Sequence, residues 1–511
     1  MINIMREILR VVTSKGDTMR LLPELNDNSE DVTNVSLTAL FLNGIRSGRW
    51  SDDEQAALDL YGTDSSDQRF RTLKSRIYER LVHSILFLQV KQPEHSEYLA
   101  SYYKCTRNLL CAQSLRRFAA MGAAQHIAHR TLLVAQKYQF TEICLSLCKL
   151  LGEIATLSGK RRDFYKYSGM ASKHLQELVA EYTAEELLDK WHLETKYAAI
   201  SLSKIMADSE IVFQRINELY EKHPTHLMRL NWFRARKLYA ESIDDYALII
   251  QVSEEAVEYL DANPHLAQRA RYGEFLFSKM MCCLSTRQYD EAFVMAEKCV
   301  SYFTSGGRNW YSSVEMAFIS AMHLEEYEKA LNYYNLATQH ENWENHPEPT
   351  VREHWITAHA YLLLAGRLGL HNLEIPNQQS FRLSTYLNSI PEEQKSKKYF
   401  NVLIHVSHVF FLILQGDFDA AEKRVEYLKV YSSRWLRDPD LLRVRIFLRL
   451  LNNLPRFSFD PRRIRTACRP LFEELRKTSE ESISASEYIP FEVMYERLLD
   501  VLERQSADLE V

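Results

Sequence analysis

Glycine and proline are scarce, at 14 and 13 in 511 residues, glycine under half and proline about half the usual share of roughly 7% and 5%. Folds rich in strands need frequent turn punctuation, so this shortage excludes a sandwich or barrel and favours long helices. No useful length of sequence alternates apolar and polar residues as a half-buried strand does. Cysteine is also sparse and unorganised. The eight thiols, Cys105, Cys111, Cys144, Cys148, Cys282, Cys283, Cys299 and Cys468, include no C-x-x-C and no paired spacing of a zinc or disulfide framework. They fit reduced thiols in a packed interior, and we expect a cytoplasmic protein.

Charge of one sign is lacking as well. A formal charge of −5, with 26% charged residues, argues against a general polyanion binder and confines any nucleic-acid role to a local patch. The N-terminal MINIMREILRVVTSKGD carries charges within its apolar run and has no small-residue cleavage site, so no secretory signal is expected. The most apolar stretch, YFNVLIHVSHVFFLILQ at 399–415, contains two His, a Ser and an Asn and is shorter than the ~20 residues of a membrane span. It reads as a core helix, and no membrane association is expected.

Short catalytic motifs are missing: no phosphate-binding G-x-x-x-x-G-K, dinucleotide G-x-G-x-x-G, G-x-S-x-G or H-E-x-x-H occurs. SGGRNWYSS at 305–313 has two glycines but no following Lys and no preceding strand, so it reads as a turn. Cys144 and Cys148 share a helix face at i, i+4, and His354 with His359 and His405 with His408 form similar pairs. None has a matching pair nearby, and core packing is the default for each. We therefore expect no enzyme, no metal and no cofactor.

A recurring pattern is present instead. A short polar turn is followed by an aromatic residue and, three positions later, alanine: Tyr289 and Ala292, Tyr327 and Ala330, Phe418 and Ala421, with Tyr246 and Ile249 as a relative. Small residues let paired helices approach, and the aromatic plugs the gap to the next hairpin. These segments resemble second helices of tetratricopeptide repeats. The aromatics lie 43, 38 and 91 residues apart, against a family period of roughly 34, and the interval of 91 leaves room for a further helix around Phe381. The resemblance implies an all-α fold, an α-solenoid of helical hairpins forming a tetratricopeptide-like superhelix, with an N-terminal helical hairpin domain. It covers about 240–435, and more loosely 100–240. The expected organisation is an N-terminal helical domain at 1–95, divergent repeats at 96–240, tetratricopeptide-like repeats at 241–435 and capping helices at 436–511.

Two helices, 141–157 and 160–180, are predicted to meet at Ser158-Gly159, and Thr183 with Glu186 reads as the capping box of another helix. In SDDEQAALDLYGTDSSDQRFRTLKSRIYERL, residues 51–81, Ser51 with Glu54 and Ser65 with Gln68 likewise read as capping boxes, and Gly62 as a left-handed cap. Helices at 52–61 and 66–88 then meet at a sharp corner. On the second, Phe70, Leu73, Ile77, Leu81, Ile85 and Leu88 form an apolar stripe, beside which Arg69, Arg76 and Arg80 line up with His83 near the end. The arrangement resembles regulators that place a helix-turn-helix before a tetratricopeptide array, with these arginines as nucleic-acid contacts. The nearby acids Asp52, Asp53, Glu54, Asp59, Asp64 and Asp67 argue for a scaffold hairpin.

From Arg434 to Lys477 twelve basic residues face five acidic ones. Arg462, Arg463, Arg465 and Arg469 are thus candidate contacts for nucleic acid or an acidic partner, or members of a salt-bridged cap. Function is read from the architecture: a non-catalytic scaffold or adaptor binding a protein or peptide in its groove. The 28 Tyr suit such a surface, and candidate contacts are Trp232, Arg234, Arg236, Tyr239, Tyr272, Trp310, Tyr311 and Tyr334. The alternative is a nucleic-acid-binding regulator in which the array senses or dimerises. Oligomeric state is not legible.

Overall fold

A computed structural model describes residues 1–15, 36–86, 97–197, 202–343, 349–376, 381–383, 386, 398–436, 441–481 and 487–509. Among them the regular structure is entirely α-helical, and consecutive helices pack in adjacent pairs. The chain divides into two compact units, Met1–Tyr239 with Tyr259–Arg269, and Ala240–Glu258 with Ala270–Val511. The first carries α1 (Ile2–Lys15), α2 (Leu37–Ser47), α3 (Asp53–Tyr61), α4 (Gln68–Leu86), α5 (Glu97–Arg117), α6 (Met121–Lys137), α7 (Thr141–Leu157), α8 (Arg161–Tyr197) and α9 (Leu202–Lys222). α10 (His226–Ser242), α11 (Tyr246–Ala262) and α12 (Arg269–Ser285) follow in the chain. The second unit continues with α13 (Tyr289–Tyr302), α14 (Arg308–His323), α15 (Tyr327–Thr338), α16 (Pro349–Arg367), α17 (Lys398–Leu414), α18 (Phe418–Trp435), α19 (Leu442–Arg456), α20 (Pro461–Glu481) and α21 (Phe491–Leu509).

In the first unit, α1 to α4 enclose a core of their own, built on Met5, Leu9, Phe41, Trp50, Phe70 and Ile77. The predicted corner is present, with Gly62 in the left-handed region at φ 66°. Its caps differ from the sequence expectation. Asp52, not Ser51, caps α3 by accepting the Gln55 N–H at 3.0 Å. Ser65 donates its hydroxyl to Glu54 and its N–H to the same carboxylate at 3.0 Å, while Asp67 accepts the Arg69 N–H at the start of α4. The aspartate immediately before each helix takes the position, because its short carboxylate reaches the free amides without rearranging the turn. Phe70, Leu73, Ile77 and Leu81 are buried as the stripe requires, Ile85 is exposed, and Leu88 lies outside the described residues.

Helices α5 to α8 surround a second core that includes Cys144, Cys148, Leu147 and Leu151. The predicted junction at Ser158-Gly159 is present, but the start at Thr183 is not. α8 runs unbroken for 37 residues, and Thr183 donates its hydroxyl to the Val179 carbonyl one turn back, at 2.7 Å. The helix continues because its two halves pack on different neighbours: Tyr167 joins the α5–α7 core, whereas Ala180, Ala184 and Leu188 join a cluster with Ile216 and Met228.

One backbone device recurs at the corners. The second residue before a helix start has positive φ at Ala119, Gln139, Gly159, Asp244, Arg287, Glu325, Gly416 and Phe459. Around it an amide donates to the carbonyl five residues earlier, as in Gln288 to Cys283 at 2.8 Å, Glu326 to Ala321 at 2.9 Å and Asp417 to Leu412 at 3.0 Å. This Schellman closure satisfies the last carbonyls of the outgoing helix and aims the chain into the next. Gly369 is also left-handed (φ 74°), after α16, with the Leu370 amide bonded to Ala365 at 3.0 Å. It falls within the interval of 91 residues, whereas most of the helix expected around Phe381 lies outside the described residues.

Most of these corners lack glycine, which is how so few glycines serve so many turns. A left-handed residue with a Cβ costs about 1–2 kcal/mol, and glycine's extra chain entropy takes back about 0.5–1. Ala119→Gly and Glu325→Gly, both at exposed positions, are therefore each expected to stabilise by about 0.5–1 kcal/mol. Urea denaturation read by circular dichroism tests this, and a loss of stability at both sites would contradict it.

In the second unit the four predicted helices begin at their aromatic residues, Tyr246, Tyr289, Tyr327 and Phe418. The residues three positions on, Ile249, Ala292, Ala330 and Ala421, are buried. α17 is the apolar stretch of the sequence and is buried along most of its length, as a core helix should be. No described helix is long and apolar enough to cross a membrane.

Four histidines of this unit are held neutral by burial: His323, His359, His371 and His408, the last pushed down to about 4. In the unfolded chain such rings take up a proton near pH 6.5. The unit should thus be fully stabilised above about pH 6.5 and lose stability as pH falls toward about 4. Thermal melts across that range should show the decline, and His408→Leu should make it shallower. An unchanged slope would contradict the assignment.

Candidate functional site

The first unit contains a cleft of about 650 Å³ built where two helix corners meet one face of α8. One corner is Gln139, left-handed at φ 55°, followed by Thr141 at the start of α7. The other is His223-Pro224-Thr225, where Thr225 accepts the Met228 N–H at 3.2 Å and so caps α10. Lys173, His174, Gln176 and Glu177 of α8, with Gln136, Cys144 and Lys222, complete the lining.

Glu181 joins these corners. Its Oε1 accepts hydroxyl hydrogens from Thr141 at 2.8 Å and Thr225 at 2.6 Å. Burial raises its pKa above the usual carboxylate range, and the two hydroxyls oppose the shift. A second tie runs from the His226 N–H to the Gln139 side-chain oxygen, 2.8 Å. Glu177 accepts from His174 at 2.8 Å and pairs with Lys173 at 3.6 Å. Burial pushes the Cys144 thiol up to about 12, so it is not a thiolate nucleophile at neutral pH. What the cleft offers is amide hydrogen-bonding groups and two lysine ammoniums on a braced frame.

The chain matches no protein-family model, no curated protein and no solved structure. Its chemistry is therefore read from its own residues.

None of the eight aromatic and arginine candidates lines this cleft. Trp310 and Tyr311 are core residues, 3% and 1% exposed, because the first turn of α14 packs into the main core of its unit. They are not available as groove contacts. Trp232 is half-buried, stacked on Tyr220 at 5.4 Å, with its indole N–H donated to Asn217 at 2.8 Å and the Arg236 guanidinium 5.5 Å from its ring. Tyr239 stacks on Phe213, Tyr272 on Tyr302 and Tyr334 on His359. Arg234 is half-buried on α10.

Two of the candidate arginines of α4 are engaged locally. Arg69 pairs with Asp67 at 2.8 Å and lies 5.3 Å from the Tyr61 ring. Arg76 donates to Thr38 at 3.2 Å. Arg80 is on the same helix, and its carbonyl accepts from Ser84 at 2.7 Å.

Much of the basic C-terminal segment is also paired. Arg463 meets Asp460 at 3.2 Å, Arg465 meets Asp500 at 2.5 Å and Arg476 meets Glu496 at 3.0 Å. Arg462 and Arg469 are exposed. The glycines at 306–307 form a turn, with the Gly307 amide donated to Thr304 at 3.0 Å, and Gly307 caps α14.

Sequence reading missed the cleft because Thr141, Glu181 and Thr225 are far apart in the chain. Pro224-Thr225 before a helix was the one local signal, marking a corner with a capping hydroxyl.

Proposed function

We propose that this chain is a tetratricopeptide-like adaptor, without catalytic activity of its own, that holds a protein or peptide partner in the cytoplasm. The observation that carries the reading is the cleft between the Gln139 and Thr225 corners. Gln136, Gln139 and Gln176 suit the donors and acceptors of an extended peptide backbone, and Lys173 and Lys222 suit a carboxylate on it. The helices opening on Tyr246, Tyr289, Tyr327 and Phe418 support the repeat architecture behind this reading. The cleft's framework is fixed by buried hydrogen bonds, which limits the ordering cost of binding.

The test is affinity capture from native lysate with wild type and with Lys173→Glu/Lys222→Glu, both checked for equal helicity. A stoichiometric protein retained by wild type and weakened about tenfold or more by the variant is expected, the loss of at least one charge-assisted contact. A partner held equally by both would place binding elsewhere. Consistent absence of any partner would remove the adaptor reading.

A further inference from the structure

Among the described residues, helix α8 leaves one face uncovered. Its two halves bury Tyr167 against the preceding helices, with Ala171 partly buried beside it, and Ala180, Ala184 and Leu188 against the following ones. Phe164, Leu175, Val179, Tyr182 and Leu193 remain 38–64% exposed. Relative to Leu175 they stand at −11, +4, +7 and +18, spacings that all return to one side of a helix at 100° per residue. Scattered exposed apolar residues are ordinary, but these five recur on one face of a single helix, a central group of Leu175, Val179 and Tyr182 with Phe164 and Leu193 about 16 Å to either side. Lys173, His174 and Glu177 of the cleft lie on a different face.

The stripe is nearly palindromic. Phe164 and Leu193 are equidistant from the midpoint between residues 178 and 179, as are Leu175 and Tyr182, and Val179 sits beside that midpoint. A twofold axis there lays each residue of one copy against its counterpart on an antiparallel second copy, which is what an isologous interface requires. Parallel in-register pairing would stack the exposed Arg161 and Arg162 on their own copies, and the antiparallel axis separates these pairs. Glu186, also exposed on this face, would meet the small side chains of Ala171 and Ser172. A helix of 37 residues is about 55 Å long. Pairing along it buries on the order of 1,000 Å² in total, the lower bound for a specific association.

We infer that the protein forms a homodimer through antiparallel pairing of α8 with α8 of a second copy, centred on Val179. Sedimentation of the full chain at tens of micromolar tests this, expecting twice the monomer mass. Leu175→Glu/Tyr182→Glu should raise the dissociation constant at least about thirtyfold with helicity unchanged, since both side chains are exposed in the single copy. In a Cys111→Ser background, which removes the exposed native thiol, Val179→Cys should form an intermolecular disulfide with itself. Phe164→Cys should cross-link only when mixed with Leu193→Cys.

A monomeric wild type overturns the inference, as does a dimer indifferent to the double glutamate variant. Self-linking of Phe164→Cys would replace antiparallel by parallel pairing. A monomer whose capture of a different protein is lost in Leu175→Glu/Tyr182→Glu would assign the stripe to that partner and exclude the second copy.

Discussion

Arg443→Ala is expected to remove about 3–5 kcal/mol from the unit formed by Ala240–Glu258 and Ala270–Val511. Arg443 is 0% exposed on α19. It donates to both oxygens of Glu487, at 2.5 and 3.0 Å, to Glu492 at 2.7 Å and to the Leu475 carbonyl at 3.1 Å. Burial by itself would lower its pKa, but the two carboxylates hold it above the ordinary value. Glu487 also accepts the Phe491 N–H at 3.1 Å, and its carbonyl accepts from His323 at 2.7 Å. Removing the guanidinium leaves Glu487 buried and without its main counter-charge, and the penalty is the desolvation of that anion more than the lost attraction. Replacing Arg443, Glu487 and Glu492 together by apolar residues should therefore cost much less than Arg443→Ala alone. Urea titrations of the two variants measure the difference, and equal losses would mean that packing volume, not charge, sets the cost.

Trp355→Ala should cost about 3–5 kcal/mol by cavity formation. Trp355 of α16 is 1% exposed and packs edge-on to Phe318, with ring centroids 5.7 Å apart, and beside Tyr334 at 6.2 Å. Its indole N–H finds no acceptor among the described residues, and an unmade buried hydrogen bond costs about 1–3 kcal/mol. Trp355→Phe gives up ring area but also removes that donor, so the two changes should nearly cancel, to within about 1.5 kcal/mol. Thermal denaturation of both variants separates the contributions. A phenylalanine variant as damaged as the alanine one would show that the N–H is satisfied and that shape dominates.

These two sites show what the sequence makes legible. The helices opening on Tyr289, Tyr327 and Phe418 follow from spacing alone, because the Ala three residues on must face a neighbouring helix whichever helix it is. The left-handed cap at Gly62 follows from one residue type. Arg443 could be counted in advance only as part of a basic segment, since its partners lie 44 and 49 residues away. Local charge says nothing about which arginine is folded inward. Thr183 failed for a related reason: a capping sequence is permissive, and packing of α8 on two successive clusters carried the helix through it. The cleft around Glu181 depends on three distant polar residues meeting, which periodicity cannot register.

Because α8 belongs to two successive clusters, it acts there as a beam rather than as a joint. A corner between two helices can flex by small torsions in a few residues, whereas bending a continuous helix strains the whole ladder of backbone hydrogen bonds along it. The α5–α7 cluster and the α9–α10 cluster should therefore tilt together. A load applied at either end of that helix would be transmitted along its length with little compliance at Thr183.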